Sequence, residues 1–154
     1  MTYLIGQGSD THELVVMKDG AIILGGHKFI AGYRVISHSD GDLVLHSIAN
    51  AILGAMQKGD IGQYFKDTDQ KIKGICSAEI IKFALNLLSK SKFELVNIDL
   101  TITCENILLG DIKKHIQNAL IKLLGCKFIN VKATRFEKPS NLISCDVVLL
   151  INKK

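Results

Sequence analysis

Residues 93–134 read FELVNIDLTITCENILLGDIKKHIQNALIKLLGCKFINVKAT, and residues 142–151 read LISCDVVLLI. From Phe93 to Thr103, apolar Leu95, Ile98, Leu100 and Ile102 alternate with Asn97, Asp99, Thr101 and Thr103. That is the period of a strand with one buried face, and Val96 breaks its register. Asp111 opens a helix in which Ile112, Ile116, Ala119, Leu120, Leu123 and Leu124 recur at helical spacing, and Gly125 closes it. Phe128–Thr134 and Leu142–Ile151 read as two further strands. The order β-α-β-β calls for helices covering one face of a mixed sheet.

Upstream, Tyr3–Gly8 reads as a short strand running into a polar loop. Leu14–Met17 and Ala21–Leu24 flank Lys18-Asp19-Gly20, a hairpin signal. Phe29–Ile36 is a further extended piece. Asp40 or Asp42 caps a first helix with Leu45, Ile48, Ala49, Ile52, Leu53 and Met56 on its apolar positions, and Gly59 ends it. Asp60–Gly74 is a polar loop long enough to point to function. Ser77-Ala78-Glu79 opens another helix, with Ile80, Ile81, Ala84, Leu85 and Leu88 as its buried stripe. The expected fold is α+β: a two-layer mixed β-sheet with three helices packed on one face, in a single domain over 1–154.

The composition agrees. A chain of 154 residues is one domain in size, and 47% apolar content excludes a disordered chain. No apolar run approaches the roughly 18 residues of a spanning helix. The N-terminus lacks the pattern of a secretory signal, so a cytoplasmic protein with no membrane partner is expected, or a stromal one if the source bears plastids. A net charge of +4 is a small excess, and Lys113-Lys114-His115 has no interleaved aromatics, so no nucleic-acid partner is expected. A mean hydropathy of +0.24 exceeds what one small core needs and points to subunit contacts. The cysteines at 76, 104, 126 and 145 are too far apart for CxxC chemistry and read as free buried thiols.

Four segments could carry chemistry. In Asp10-Thr11-His12 the carboxylate and imidazole share one face of an extended chain, with Gly6 and Gly8 just before. His38-Ser39-Asp40-Gly41-Asp42 leads into the helix that carries His46. Alone, His46 reads as a core histidine bonded to a carbonyl. Combined with Asp10 and His12, it completes a two-imidazole, one-carboxylate set suited to zinc with one position open. Gly59-Asp60-Ile61-Gly62 and Phe65–Asp69 read either as a solvated capping loop or as carboxylates that accept substrate hydroxyls. Lys132–Lys138 reads as a charged turn, or as a holder of phosphate through Thr134 and Arg135 and of a second cation through Glu137.

In this order, GQGSDTH, SHSDGDLVLHSIANAILGA, GDIGQYFKDTD and NVKATRFEK, spanning residues 6–138, resemble the 2-C-methyl-D-erythritol 2,4-cyclodiphosphate synthase family. The resemblance implies a homotrimer with active sites between neighbouring subunits. It implies that Asp10, His12 and His46 bind Zn2+ beside the substrate, and that Glu137 binds Mg2+ or Mn2+. The substrate implied is a CDP-linked methylerythritol 2-phosphate, whose 2-phosphate attacks the β-phosphorus and releases CMP. His38 and Ser39 would grip phosphate, with His38 catalytic. Asp60, Gly62 and Asp67 would face the erythritol moiety, within a binding stretch that also holds Ile61, Phe65 and Asp69. Cys104, Ala133 and Thr134 would line the cytidine pocket. Arg135 stands where the family commonly has a threonine and would supply transition-state charge instead. The family's arginine-bearing loop after Lys138 is missing, Glu105–Leu109 lacks its Pro-Lys, and Asn50 replaces a frequent aspartate. A zinc-dependent phosphohydrolase and a trimeric nucleotide-binding protein without turnover are the alternative readings.

Overall fold

Strand β1 (Tyr3–Val16) and helix α1 (Leu43–Ala55) lie against each other in the computed structural model, which describes residues 2–66 and 74–154. β1 puts Leu4, Gly6, Gly8, Asp10, His12 and Leu14 on one face, because side chains alternate along a strand. Two of these positions have no side chain, and α1 settles directly on the strand there. A Cβ on Gly6 would fall 1.9 Å from the Ala51 carbonyl oxygen, and one on Gly8 would fall 2.1 Å from that of Ser47. α1 is buried almost all round, with only Asn50 and Gly54 not fully covered. Such a helix belongs in the core rather than on the surface.

The remaining strands are β2 (Ala21–Leu24), β3 (His27–Ile30), β4 (Tyr33–Ile36), β5 (Phe93–Cys104), β6 (Ile129–Thr134) and β7 (Leu142–Lys153). Five of them form one sheet in the order β4-β1-β7-β5-β6, with β6 parallel to β5 and the other pairs antiparallel. The register lines up rows across the helix-covered face, such as Gly8, Val147 and Leu100, and Asp10, Cys145 and Ile102. The helices α1, α3 (Ser77–Lys90) and α4 (Ile112–Leu124) pack over this face. On the opposite face Ile5 and Val148 are exposed. The mixed α+β fold is as expected.

Several details differ from expectation. Among the described residues there are four helices rather than three, because a single turn, α2 (Ile61–Tyr64), opens the loop after α1. β1 does not stop at Gly8 but runs on to Val16, since β7 pairs with it from Tyr3 to Glu13 and β4 from Glu13 to Val16. Long-range pairing therefore keeps the polar Ser9–Glu13 stretch extended. The expected hairpin through Lys18-Asp19-Gly20 is a turn only. β2 pairs instead with β3, across Gly25-Gly26, in a separate two-stranded ribbon. Phe29–Ile36 is split at Ala31-Gly32 into the end of β3 and the whole of β4. Helix α1 ends at Ala55, before Gly59, with Gln57 at positive φ just beyond. Asp111 precedes α4 without a capping bond, whereas Gly125 closes it in the left-handed conformation, as expected. The register break at Val96 is a bulge between Leu95 and Asn97. Of the cysteines, 104, 126 and 145 are buried free thiols, whereas Cys76 is exposed.

Asp42 fixes the start of α1. It is fully buried, and its carboxylate accepts from the N–H groups of Leu45 (3.1 Å), Gly25 (2.8 Å) and Gly26 (2.7 Å). One side chain thus caps the helix and anchors the β2–β3 turn to it. Asp42→Ala leaves three amides without their acceptor and is expected to cost about 3 kcal/mol in urea unfolding. Gly8→Ala, which drives a methyl into helix backbone, is expected to cost about as much. Gly54→Ala is the control. Its Cβ would meet only the Gln7 carbonyl oxygen at 3.7 Å, so this variant is expected to gain about 0.5 kcal/mol.

Candidate metal and phosphate site

The close seat of α1 on β1 decides where its buried imidazole goes. Asp10 and His12 follow Gly6 and Gly8 on the helix-facing side of β1, and His46 lies in the first turns of α1. Asp10 Oδ2 is 3.0 Å from His12 Nε2 and 3.0 Å from His46 Nδ1. The three ligating atoms lie within 4.8 Å of one another. His46 is 7% exposed, so it is indeed a core histidine, but its partner is a carboxylate rather than a backbone carbonyl.

Each imidazole is held through its second nitrogen. His12 Nδ1 donates to the Ile36 carbonyl oxygen at 3.2 Å, which leaves Nε2 to face Asp10. His46 Nε2 is 2.8 Å from Ser77 Oγ. Bonds of this kind fix ring orientation in metal sites. Two imidazoles and a carboxylate, close together and oriented from behind, suit a borderline divalent ion.

Electrostatics follow from the geometry. Burial pushes the Asp10 carboxyl up, but the hydrogen bonds and charges of His12 and His46 outweigh it and hold it at about 2. The bond to Asp10 raises His12 above its ordinary 6.5, burial opposes this, and the Asp10 charge and Ile36 carbonyl add to the rise. In the metal-free protein the His12 Nε2 proton that bonds Asp10 is one that a metal would displace.

Around this cluster opens a cavity of about 630 Å³, lined among others by Asp10, His12, His38, Ser39, His46, Asn50, Ile61, Gly62 and Phe65. Ser39 stands in a tight turn, its hydroxyl accepting from Gly41 N–H at 3.1 Å. Asp60 caps α2 through the Gln63 N–H at 3.2 Å, and Ile61 N–H donates to Asn50 Oδ1 at 2.9 Å. Asp67 and Asp69 lie outside the described residues. Ile36, Ser37, Ile75 and Ile80 also line the cavity. Only their neighbourhood to sequence motifs could have flagged them.

Another group gathers elsewhere. Ala133 and Thr134 end β6 opposite Ile102 and Thr103 of β5, beside Cys104, whose thiol is in the core. Arg135 forms an ion pair with Glu105 (3.1 Å) and also donates to the Glu105 carbonyl oxygen at 3.3 Å. Within one chain Cys104, Ala133, Thr134, Arg135 and Glu137 do not line the cavity.

A metal-type donor cluster in the wall of a cavity of mixed polar and apolar lining, on a helix-covered mixed sheet, has the form of a metal-assisted enzyme site. The family model YgbB matches residues 3–152. The 2-C-methyl-D-erythritol 2,4-cyclodiphosphate synthase of Mycoplasmoides gallisepticum is 43% identical, over 99% of this chain and 98% of its own. IspF from Plasmodium falciparum, in a CDP complex, superposes with a TM-score of 0.85 at 31% identity, covering 99% of this chain and 97% of its own. A solved 2C-methyl-D-erythritol-2,4-cyclodiphosphate synthase gives 0.89 at 29% identity, with 96% and 99% covered. The chain belongs to the YgbB family of 2-C-methyl-D-erythritol 2,4-cyclodiphosphate synthases. It is a member of an enzyme family of the lyase type, in isoprenoid synthesis. Among the described residues no helix is long and apolar enough to cross a membrane.

The protonation pattern gives a two-sided pH test. In the metal-free protein the raised His12 contributes stability that is full below 6.5 and lost as pH rises through its folded value. The lowered Asp10 contributes stability that is present above 3.8 and lost as pH falls through about 2. This pair therefore favours the metal-free fold most between about pH 4 and 6.5. Zinc affinity runs the other way, falling as pH drops through the raised His12 value. Thermal melts with and without zinc between pH 5 and 8 are expected to show a zinc-induced rise that grows with pH. His46→Ala is expected to abolish that rise.

Proposed function

We propose that the whole chain acts as one cyclodiphosphate synthase domain, closing 4-diphosphocytidyl-2-C-methyl-D-erythritol 2-phosphate to 2-C-methyl-D-erythritol 2,4-cyclodiphosphate with release of CMP. The observation that carries this reading is the Asp10–His12–His46 cluster at the wall of a cavity that His38, Ser39, Ile61, Gly62 and Phe65 also border. The donor set suits Zn2+, held by Asp10 Oδ2, His12 Nε2 and His46 Nδ1. When bound, zinc supplies charge withdrawal from a phosphate oxygen.

The chain's own residues supply the rest. Phosphoryl transfer needs positioning and charge compensation more than covalent chemistry. The attacking 2-phosphate is already an anion, so no side chain has to remove a proton from it. His38, acting as the catalytic group, and Ser39 grip phosphate at the cavity wall. Ile61, Gly62 and Phe65 border the cavity where the methylerythritol would lie, and Asp60, Asp67 and Asp69 belong to the same binding stretch of sequence. Cys104, Ala133 and Thr134 belong to the cytidine end, and Glu137 holds Mg2+ or Mn2+ there. Arg135 supplies positive charge where relatives of this family commonly carry threonine, and it must first part from Glu105 to reach a phosphate.

In this reading the functional unit is a homotrimer in the cytoplasm, or in organelle stroma if the source bears plastids. A neighbour's β5–β6 end then completes each cavity. The exposed Ile5 and Val148 on the helix-free face support subunit contact there.

The test is a product assay with the CDP-linked substrate, zinc and Mg2+. CMP and the cyclic diphosphate are expected in equal amounts, with at least a hundredfold loss in His38→Ala. Linear phosphate products without the cyclic one would favour hydrolysis and overturn the proposal. Substrate binding without CMP release would reduce the protein to a nucleotide binder.

A further inference from the structure

His46 is tied to more than Asp10. Its Nε2 meets Ser77 Oγ at 2.8 Å, with Ser39 Oγ a more distant neighbour at 3.4 Å. Ser77 is fully buried at the first position of α3. Its hydroxyl contacts Asp40 Oδ1, and its N–H donates to Asp40 Oδ2 at 3.0 Å. Asp40 also accepts from Asp42 N–H at 3.3 Å. A carboxylate that already receives two amide N–H groups acts as an acceptor, so the Ser77 hydroxyl proton points at Asp40. That orientation leaves only lone pairs of Ser77 Oγ facing His46, and Nε2 must then be the donor.

We infer that Asp40 and Ser77 are positioning residues for His46: a one-way hydrogen-bond chain from Nε2–H through the Ser77 hydroxyl to the Asp40 carboxylate keeps Nδ1 turned toward Asp10 as the nitrogen left to meet a metal. This rests on the reading of Asp10, His12 and His46 as the metal-binding set and deepens it. The chain links the loop before α1 to the start of α3, so two helices jointly aim one ring. Cys76, at the N-cap of α3, makes no capping bond, and Asp40 takes that role from a distance. The direction of the chain matters because Asp10 alone would favour a proton on Nδ1. With Ser77 and Asp40 behind the ring, its neutral form presents Nδ1 free.

The experiment uses the full-length protein with 15N-labelled histidine. Zinc affinity is measured by competition with a chromophoric chelator, and imidazole nitrogen signals are recorded on the zinc-loaded form. In the wild type, His46 is expected to show a slowly exchanging Nε2–H and a metal-bound Nδ1. Ser77→Ala is expected to weaken zinc 10- to 100-fold and to lose the protected Nε2–H signal. Asp40→Asn is expected to do the same in part. A purely structural role for Ser77 would lower the melting temperature but leave affinity within twofold and the Nε2–H signal in place, and that result overturns the inference. So does a wild-type His46 that carries its proton on Nδ1. A wild type that binds no zinc overturns the metal reading itself, which the competition assay reports before any variant is made.

Discussion

The contact on which the site depends is that of α1 with the backbone of β1. Glycine at 6 and 8 lets a helix carbonyl approach the strand where a methyl group could not fit. The next two residues on the same strand face are Asp10 and His12, and the next inward turn of the helix brings His46. A helix held off by the width of a side chain would carry its imidazole away from the carboxylate. Packing at the glycines and chemistry at the histidines are therefore one constraint, set by the two-residue period of the strand and the pitch of the helix.

That constraint creates an electrostatic problem and answers it locally. A partly buried carboxylate costs free energy unless it is paired. Asp10 is paired twice, by two imidazoles that are in turn anchored on Ile36 and Ser77. In the metal-free protein the Nε2–H of His12 bonds the Asp10 carboxylate. A divalent ion would replace that proton and balance the same carboxylate more completely.

The strands around Phe93–Ile151 were legible because each buries one face, and their alternation is a local signal. Helices α1, α3 and α4 were legible for the same reason at the helical period. The full length of β1 was not, because Ser9–Glu13 is polar and is held extended by β7, a partner some 130 residues away in the chain. Nor was the β2–β3 ribbon: the sequence reading put the hairpin at Lys18-Asp19-Gly20, whereas the turn that joins two paired strands is Gly25-Gly26, which Asp42 anchors from the start of α1. The grouping of Asp10, His12 and His46 was legible as chemistry but not as geometry. Ser77 gave no signal at all: a serine at a helix start reads as a cap, and only the fold shows its hydroxyl turned to a histidine 31 residues earlier.

The residues at the ends of β5 and β6 raise a different question. Arg135 is paired with Glu105 through both side chain and backbone, yet Glu105 keeps one buried carboxylate oxygen, Oε2, without a partner. A buried acceptor left open is costly, and a donor that arrives on assembly or with a ligand would relieve it. Among the described residues, the lining of the cavity beside Asp10 holds histidines but no lysine or arginine, and this strand end contributes nothing to it. Under the proposed trimer, one copy would bring the metal cluster and its neighbour the arginine. Arginine is then a workable replacement for a small hydroxyl residue, because its planar fork can leave one carboxylate for a phosphate without losing directionality.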